Sequence, residues 1–198
     1  EEKNRELQIE AALERVRARS MGMQRSDELA EVVAVIYRQF EELGFGLYQV
    51  LVSIYDKKNN IIEWWSRGFS EIELPQRNII PIIDHPFSND LFEKWEKGVE
   101  YYPHTLQGEM KKSWDEYLFT KTDLKNFPKK IKDTMRSFDK VYLSDVFMKY
   151  GSLQAAGPAP LPEDKAAILK RFVKVLDHAY TRMKDLQTAE LQTREAQI

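Results

Sequence analysis

From Glu163 to its last residue the chain contains neither glycine nor proline, and Leu169, Phe172, Leu176, Ala179, Met183 and Leu186 recur there at alternating spacings of three and four. An uninterrupted stretch with that period predicts one long helix carrying an apolar stripe. The other end has a counterpart. Glu1 to about Met23 is rich in Glu, Arg, Ala and Leu, and Ile9, Leu13, Val16, Ser20 and Met23 are spaced alternately four and three apart, a coiled-coil-like seam. The two ends also match each other, since Asn4-Arg5-Glu6-Leu7-Gln8-Ile9 and Thr193-Arg194-Glu195-Ala196-Gln197-Ile198 agree at four of six positions. Helices that lead into and out of a globular middle are how modules are strung along a longer protein, so the chain reads as a segment of one.

The middle alternates between strand and helix signals. Gly22 interrupts the first helix, Ser26-Asp27-Glu28 offers a cap, and a second helix runs from about Asp27 to Leu43 with Gly44 as its stop. Leu47 to Tyr55 and Ile61 to Arg67, joined by Asp56-Lys57-Lys58-Asn59-Asn60, predict a hairpin. A third strand, about Asn78 to Ile83, follows a polar link containing Gly68 and Pro75. Asp84-His85-Pro86 ends it, and Ser88-Asn89-Asp90 starts a short helix to Lys97. Val99 to Tyr102 predicts a strand closed by Pro103, followed by helices near Gln107 to Phe119 and Pro128 to Phe138. Lys140 to Met148 and Ser152 to Ala156 return to strand, and Gly157-Pro158-Ala159-Pro160-Leu161-Pro162 separates them from the long last helix. The fold class is therefore α+β, with about six strands in an antiparallel central sheet flanked by helices.

With 42% hydrophobic residues among 198, the chain can fill one sizeable core. Thirty basic and thirty-two acidic residues leave a formal charge of -2, which argues against general binding of nucleic acid or an anionic membrane. No cysteine is present, which removes disulfides, thiolate metal sites and cysteine nucleophiles and fits a reducing compartment. Apolar runs are too short for membrane insertion by this segment.

The entry segment Ala11-Ala12-Leu13-Glu14-Arg15-Val16-Arg17-Ala18-Arg19-Ser20-Met21, the Ser26-Asp27-Glu28-Leu29 cap, and the exit Gly151-Ser152-Leu153 followed by Pro160-Leu161-Pro162-Glu163-Asp164 carry a family resemblance. The chain resembles a GAF-type sensor domain, of the kind found in tandem in multidomain bacterial signalling proteins and often upstream of histidine kinase modules. The resemblance covers about Ser26 to Met183. A PAS domain would place its last three strands consecutively, and only two are consecutive here. What the resemblance implies is a cytoplasmic, non-catalytic sensory module of a two-component type of system, divided into an entry helix (1–25), a sensor domain (26–183) and an exit helix (184–198). It implies a homodimer through the terminal helices, with Ile9, Leu13, Val16, Leu176, Met183 and Leu186 as the seam, and contact with adjacent modules of a parent chain. A ligand-free dimerisation or docking module is the alternative. A covalently attached bilin is excluded by the absence of cysteine; a small-molecule ligand or none remains open.

Candidate ligand residues are aromatic and polar. Trp64 and Trp65 are adjacent on one strand and point to opposite faces, so one is core and the other meets a helix, a ligand or a partner. His85 stands at a strand-to-helix corner, where a turn histidine and a ligand contact are both open readings. Tyr102, His104 and Trp114 complete a mixed cluster suited to a small-molecule pocket, although aromatic stripes also serve as core. The three histidines lack metal-ligand spacing. Lys121, Lys125, Lys129, Lys130, Lys132 and Arg136 form a basic stretch that either meets phosphate or is a solvated helical surface. Asp84, Asp139 and Asp145 are scattered acids with no nucleophile or base in a recognisable pattern.

Overall fold

A computed structural model describes residues 1–68, 77–82 and 84–197. Pro75, the predicted strand end Ile83 and the terminal Ile198 lie outside the described residues. The hairpin forms as read: β1 (Gln49–Asp56) and β2 (Ile61–Gly68) pair antiparallel with Asp56 opposite Ile61. Their connection is held by the Asp56 carboxylate, which accepts from the Asn59 N–H at 3.1 Å, while Asn60 takes a left-handed backbone (φ 58°). With β3 (Asn78–Pro81), β4 (Tyr101–Gln107), β5 (Lys140–Met148) and β6 (Gly151–Gly157) they make one six-stranded sheet in the order β3-β2-β1-β6-β5-β4. Its paired neighbours are all antiparallel. The fold is thus α+β and GAF-like.

Both faces of the sheet are buried, so its central strands contribute alternate residues to two separate cores. Val50, Val52 and Ile54 of β1, Trp65 of β2 and Leu153 and Ala155 of β6 face one layer of helices. That layer comprises α1 (Glu2–Met21), α2 (Leu29–Glu42) and α6 (Glu163–Glu195). Tyr55, Ile62, Leu143 and Ala156 face the other. There α4 (Gly108–Lys121) and α5 (Lys129–Ser137) supply Trp114, Leu118, Phe119 and Ile131, with α3 (Pro86–Glu96) packed alongside.

Gly44 ends α2 as expected, and the geometry says why. It sits at φ +77°, its N–H bonds to the Glu41 carbonyl at 3.0 Å, and the next N–H, of Phe45, reaches back to the Phe40 carbonyl at 3.0 Å. The rings of Phe40 and Phe45 stack 4.6 Å apart across this cap, completing a Schellman motif. Two cations finish the helix end: Arg5 donates to the Leu43 carbonyl at 3.2 Å and Lys165 to that of Gly44 at 2.6 Å. Those bonds tie the starts of α1 and α6 to the same point.

From there α1 and α6 run parallel. Arg171 pairs with Glu6 and Glu10, Arg182 donates to the Met21 carbonyl at 3.3 Å, and Gln187 to that of Gln24 at 3.1 Å. Against α2 the first helix runs antiparallel, with Arg15 donating to Gln39 at 2.9 Å and Arg19 pairing with Glu31. The apolar stripe of α1 is spent on these contacts. Ile9, Leu13, Val16, Leu176 and Met183 are all buried in one cluster inside a single chain, and of the six expected seam residues only Leu186 is exposed, at 49%. Heptad-like spacing is the same whether the partner helix belongs to the same chain or another, and here the same chain supplies it. From Asp185 onward α6 projects beyond the core, with Leu191 also exposed. Among the described residues no helix is long and apolar enough to cross a membrane.

One strand reading and one helix reading change. The proline at position 103 does not close its strand; β4 runs through it to Gln107. Among the described residues β4 pairs only with β5, and an edge strand has room for a residue without an N–H. His85 is not a loop residue ahead of a helix starting at Ser88, but the cap of a helix that starts at Pro86.

Gly151 marks the closest backbone approach in the sheet. A Cβ built there would lie 1.7 Å from the Ser53 carbonyl oxygen, so β6 can pair with β1 at this register only with glycine. Gly151→Ala is expected to cost about 3 kcal/mol through overpacking, whereas Gly44→Ala, strained but with open space around it, is expected to cost about 1–2 kcal/mol. Urea unfolding of the two variants checks the order; equal midpoints would contradict it.

Candidate ligand cavity

Between the sheet and the α3–α5 layer lies a cavity of about 90 Å³. Its floor is the sheet: Leu51, Ser53 and Tyr55 of β1, Trp64 of β2, Leu143 and Asp145 of β5, and Ser152 and Gln154 of β6. Its roof is helical, with Phe87 and Leu91 from α3, Trp114 and Leu118 from α4, and Met135 from α5. Most of this lining is apolar, and its charged groups fall into two clusters.

The first cluster centres on Asp145, which is 1% exposed. Its carboxylate accepts from His104 Nε2 at 2.7 Å and from the Gln154 amide at 3.0 and 3.2 Å. His104 in turn stacks on Tyr102 with ring centres 4.4 Å apart, and the Tyr102 hydroxyl donates to Asp90, which also holds Lys94 at 2.9 Å. Burial and the adjacent Asp90 carboxylate push the Tyr102 hydroxyl up to about 12. Burial opposes ionisation of Asp90 itself, but the Tyr102 hydroxyl and the Lys94 ammonium outweigh it and hold that carboxyl below its ordinary value. The second cluster is the ion pair of Lys111 and Asp115, one turn apart on α4, with Lys111 also donating to the Met135 carbonyl at 2.8 Å. Burial pushes the Asp115 carboxyl up, and Lys111 and Arg136 pull it back. The pair forms a wall shared with an outer cleft bordered by Gly108, Lys112, Arg136 and Asp139.

Of the six residues expected at a ligand site, Trp64 and Trp114 line the cavity, with ring centres 6.3 Å apart. His85, Tyr102 and His104 stand one layer behind. His85 Nδ1 accepts from the Phe87 N–H at 3.1 Å, its ring lies 5.1 Å from that of Trp114, and Nε2 meets Ser113 Oγ at 3.0 Å. With Nδ1 accepting, the ring is the neutral Nε2–H tautomer, and burial lowers its pKa in the same sense. Trp65 is corrected: it is buried at 3% on the opposite face, in the cluster shared with α1, α2 and α6, and does not meet the cavity. Strand alternation had required one tryptophan to go there. The basic stretch is divided between α4, the following turn and α5, exposed except at the half-buried Lys132, and on α5 Lys129 pairs with Asp133 at 2.6 Å and Arg136 lies over the Phe119 ring at 4.8 Å.

Sequence reasoning missed Asp145, Gln154, Lys111 and Asp115 as a group. A signal existed for the first two: each is a polar residue on the inward phase of a strand whose neighbours in that phase are mostly apolar or small. The i,i+4 spacing of Lys111 and Asp115 is indistinguishable in sequence from an exposed helix pair.

No family model matches the chain, and no curated protein matches it. Among solved structures, a fragment of a methyl-accepting chemotaxis protein (residues 122 to 287) aligns with a TM-score of 0.52 at 11% identity, covering 88% of this chain and 98% of that one. A far-red absorbing dark state with bound biliverdin IXa aligns with a TM-score of 0.49 at 14% identity, over 87% and 99% of the two chains. The first of these likenesses is one of fold: the chain shares the architecture of that chemotaxis-protein fragment.

The ion pair on α4 yields a direct test. Lys111 and Asp115 are 5% and 7% exposed, so Lys111→Met alone, which leaves a buried carboxylate unpaired, is expected to destabilise by about 3–5 kcal/mol. The double variant Lys111→Met with Asp115→Leu is expected to be near neutral or more stable. A double-mutant cycle by chemical unfolding measures this; additive losses would contradict the pairing.

Proposed function

We propose that this chain is a regulatory, non-catalytic GAF-like module of a signal transduction protein, which binds a small molecule between its sheet and the α3–α5 layer and relays occupancy through α1 and α6. The observation that carries this reading is the two-sidedness of β5 and β6. Asp145 and Gln154 face the cavity, while their neighbours Val146, Leu153 and Ala155 face the layer that contains α6. At the turn between the two strands the Lys149 N–H bonds to Asp177 of α6 at 3.2 Å. A packed interface of this kind shifts between discrete arrangements rather than deforming smoothly, which gives ligand binding a route to the exit helix. The parallel course of α1 and α6 supports the same reading, since an input arriving on one helix continues in the same direction on the other.

In this reading the protein acts as a cytoplasmic homodimer within a longer bacterial signalling chain, of the histidine kinase or a related type. With Leu13 and its fellows committed inside the chain, the dimer contact falls to the projecting part of α6, where Leu186 and Leu191 are exposed. The small cavity volume favours a second reading, a ligand-free dimerisation or docking domain.

A thermal-shift screen of metabolites separates the two, because a ligand that binds only the folded state raises Tm. The sensory reading predicts such a ligand and a change in amide exchange along α6 when it binds. A ligand that raises Tm while α1 and α6 exchange unchanged would remove the relay, and a screen without a ligand would select the docking reading. Leu186→Lys with Leu191→Lys is expected to shift the mass in solution from dimer to monomer without lowering Tm.

A further inference from the structure

We propose that the cavity takes a small neutral carboxamide with a branched apolar body, roughly four to six heavy atoms in all, held by Gln154 and Ser53. The proposal rests on the sensory reading above and adds the chemistry of the ligand. The charged groups of the lining already have partners. Lys111 serves Asp115 and the Met135 carbonyl, while Asp145 is met by His104 and Gln154. An ion entering the cavity would give up its water without meeting an unpaired charge, wherever the proton of the His104–Asp145 pair resides.

Two neutral groups lack partners. Gln154 and Ser53 are 7% and 6% exposed, and both line the cavity. Gln154 Nε2 lies 3.0 and 3.2 Å from the two Asp145 oxygens, and a carboxylate only accepts, so the amide is turned with Oε1 away from it. Strands pair with β6 on both sides, which leaves the cavity as the space open to that oxygen. Among the described residues neither Gln154 Oε1 nor the Ser53 hydroxyl makes a hydrogen bond, and neither is sealed off from open space. A buried acceptor and hydroxyl left unpaired cost stability, and a ligand that pairs both recovers it.

Their spacing selects the head group. Ser53 stands opposite Ser152 and Leu51 opposite Gln154, which makes Ser53 and Gln154 diagonal neighbours with Cα atoms about 7–8 Å apart. A planar carboxamide bridges that span, its carbonyl accepting from Ser53 and its N–H donating to Gln154 Oε1. Leu51, Trp64, Phe87 and Leu118 then surround the apolar body. Size sets the upper limit. The cavity, about 90 Å³, is smaller than the roughly 150 Å³ of an apolar cavity that accepts benzene, which leaves no room for a nucleotide or a tetrapyrrole.

Probes of one shape test the assignment by calorimetry and tryptophan fluorescence: isobutyramide, its analogue methyl isopropyl ketone, isobutyrate and isobutyramidinium. Isobutyramide is expected to bind about tenfold more tightly than the ketone, which lacks the N–H donor, and at least about tenfold more tightly than either ion. Gln154→Met is expected to abolish the preference for amide over ketone, and Ser53→Ala to weaken both by a similar factor. The wild-type comparison and Ser53→Ala stand even if Gln154→Met fails to fold. Xenon is used in parallel, read by NMR shifts of the Leu51 and Leu143 methyls, because it reports space without regard to hydrogen bonding. Xenon entry with equal binding of amide and ketone, with preference for either ion, or with no isobutyramide binding would overturn the carboxamide assignment and leave the cavity intact. Failure of xenon to enter would remove the cavity, and with it both this assignment and the ligand-binding reading.

Discussion

The packing of α1 against α6 within one chain is the contact on which the remaining organisation depends. A sheet whose inner strands are apolar on both faces needs two covering layers, and α2 alone is too narrow to cover one of them. Parallel placement of α1 and α6 widens that layer. The three helices are then locked end to end by electrostatics: Arg5 and Lys165 converge on the carbonyl end of α2, and Arg171 bridges two turns of α1. Exposed ion pairs of this kind add little energy; their value here is in fixing register, while burial of Leu13, Val16, Leu176 and Met183 supplies the stability.

The opposite face follows a different rule. There the helices close over the sheet while leaving space, and the polar groups around that space are held by one another: Lys111 by Asp115, Asp145 by His104 and Gln154, Tyr102 by Asp90. One of these groups, Asp145, is a buried carboxylate in the lining of that space. β5 and β6 belong to both cores at once, so the polar cluster and the layer that contains α6 are built on the same two strands.

Much of the fold was legible from local pattern. The hairpin, the Gly44 cap, the acidic start of α6 and the two final strands were fixed by alternation, glycine and charge, all of which act over a few residues. The departures came where the deciding partner is remote in sequence. Ile9, Leu13 and Val16 carry a stripe that fits any apolar helix, and their pairing with Leu176 and Met183 depends on chain topology. Pro103 continues its strand because β4 lies at an edge, a position set by the order of six strands. Half of the candidate site was visible as aromatic residues. Of its polar half, Asp145 and Gln154 were marked only by the phase of their strands, and the helix pair Lys111 and Asp115 looks the same in sequence whether buried or solvated, so that only the converging elements decide.

The most direct measurement is a spin-label distance across α1 and α6, with labels at Lys3 and Asp164 in one sample and at Lys3 and Asp185 in another, each diluted into an excess of unlabelled protein. A parallel seam inside one chain predicts a short Lys3–Asp164 distance that survives dilution, and a Lys3–Asp185 distance longer by about 20 Å, from 21 residues of helix at about 1.5 Å each seen across helices about 10 Å apart. A short distance that disappears on dilution would place the seam between chains, and a reversed order of the two distances would make the helices antiparallel; either result would contradict the account.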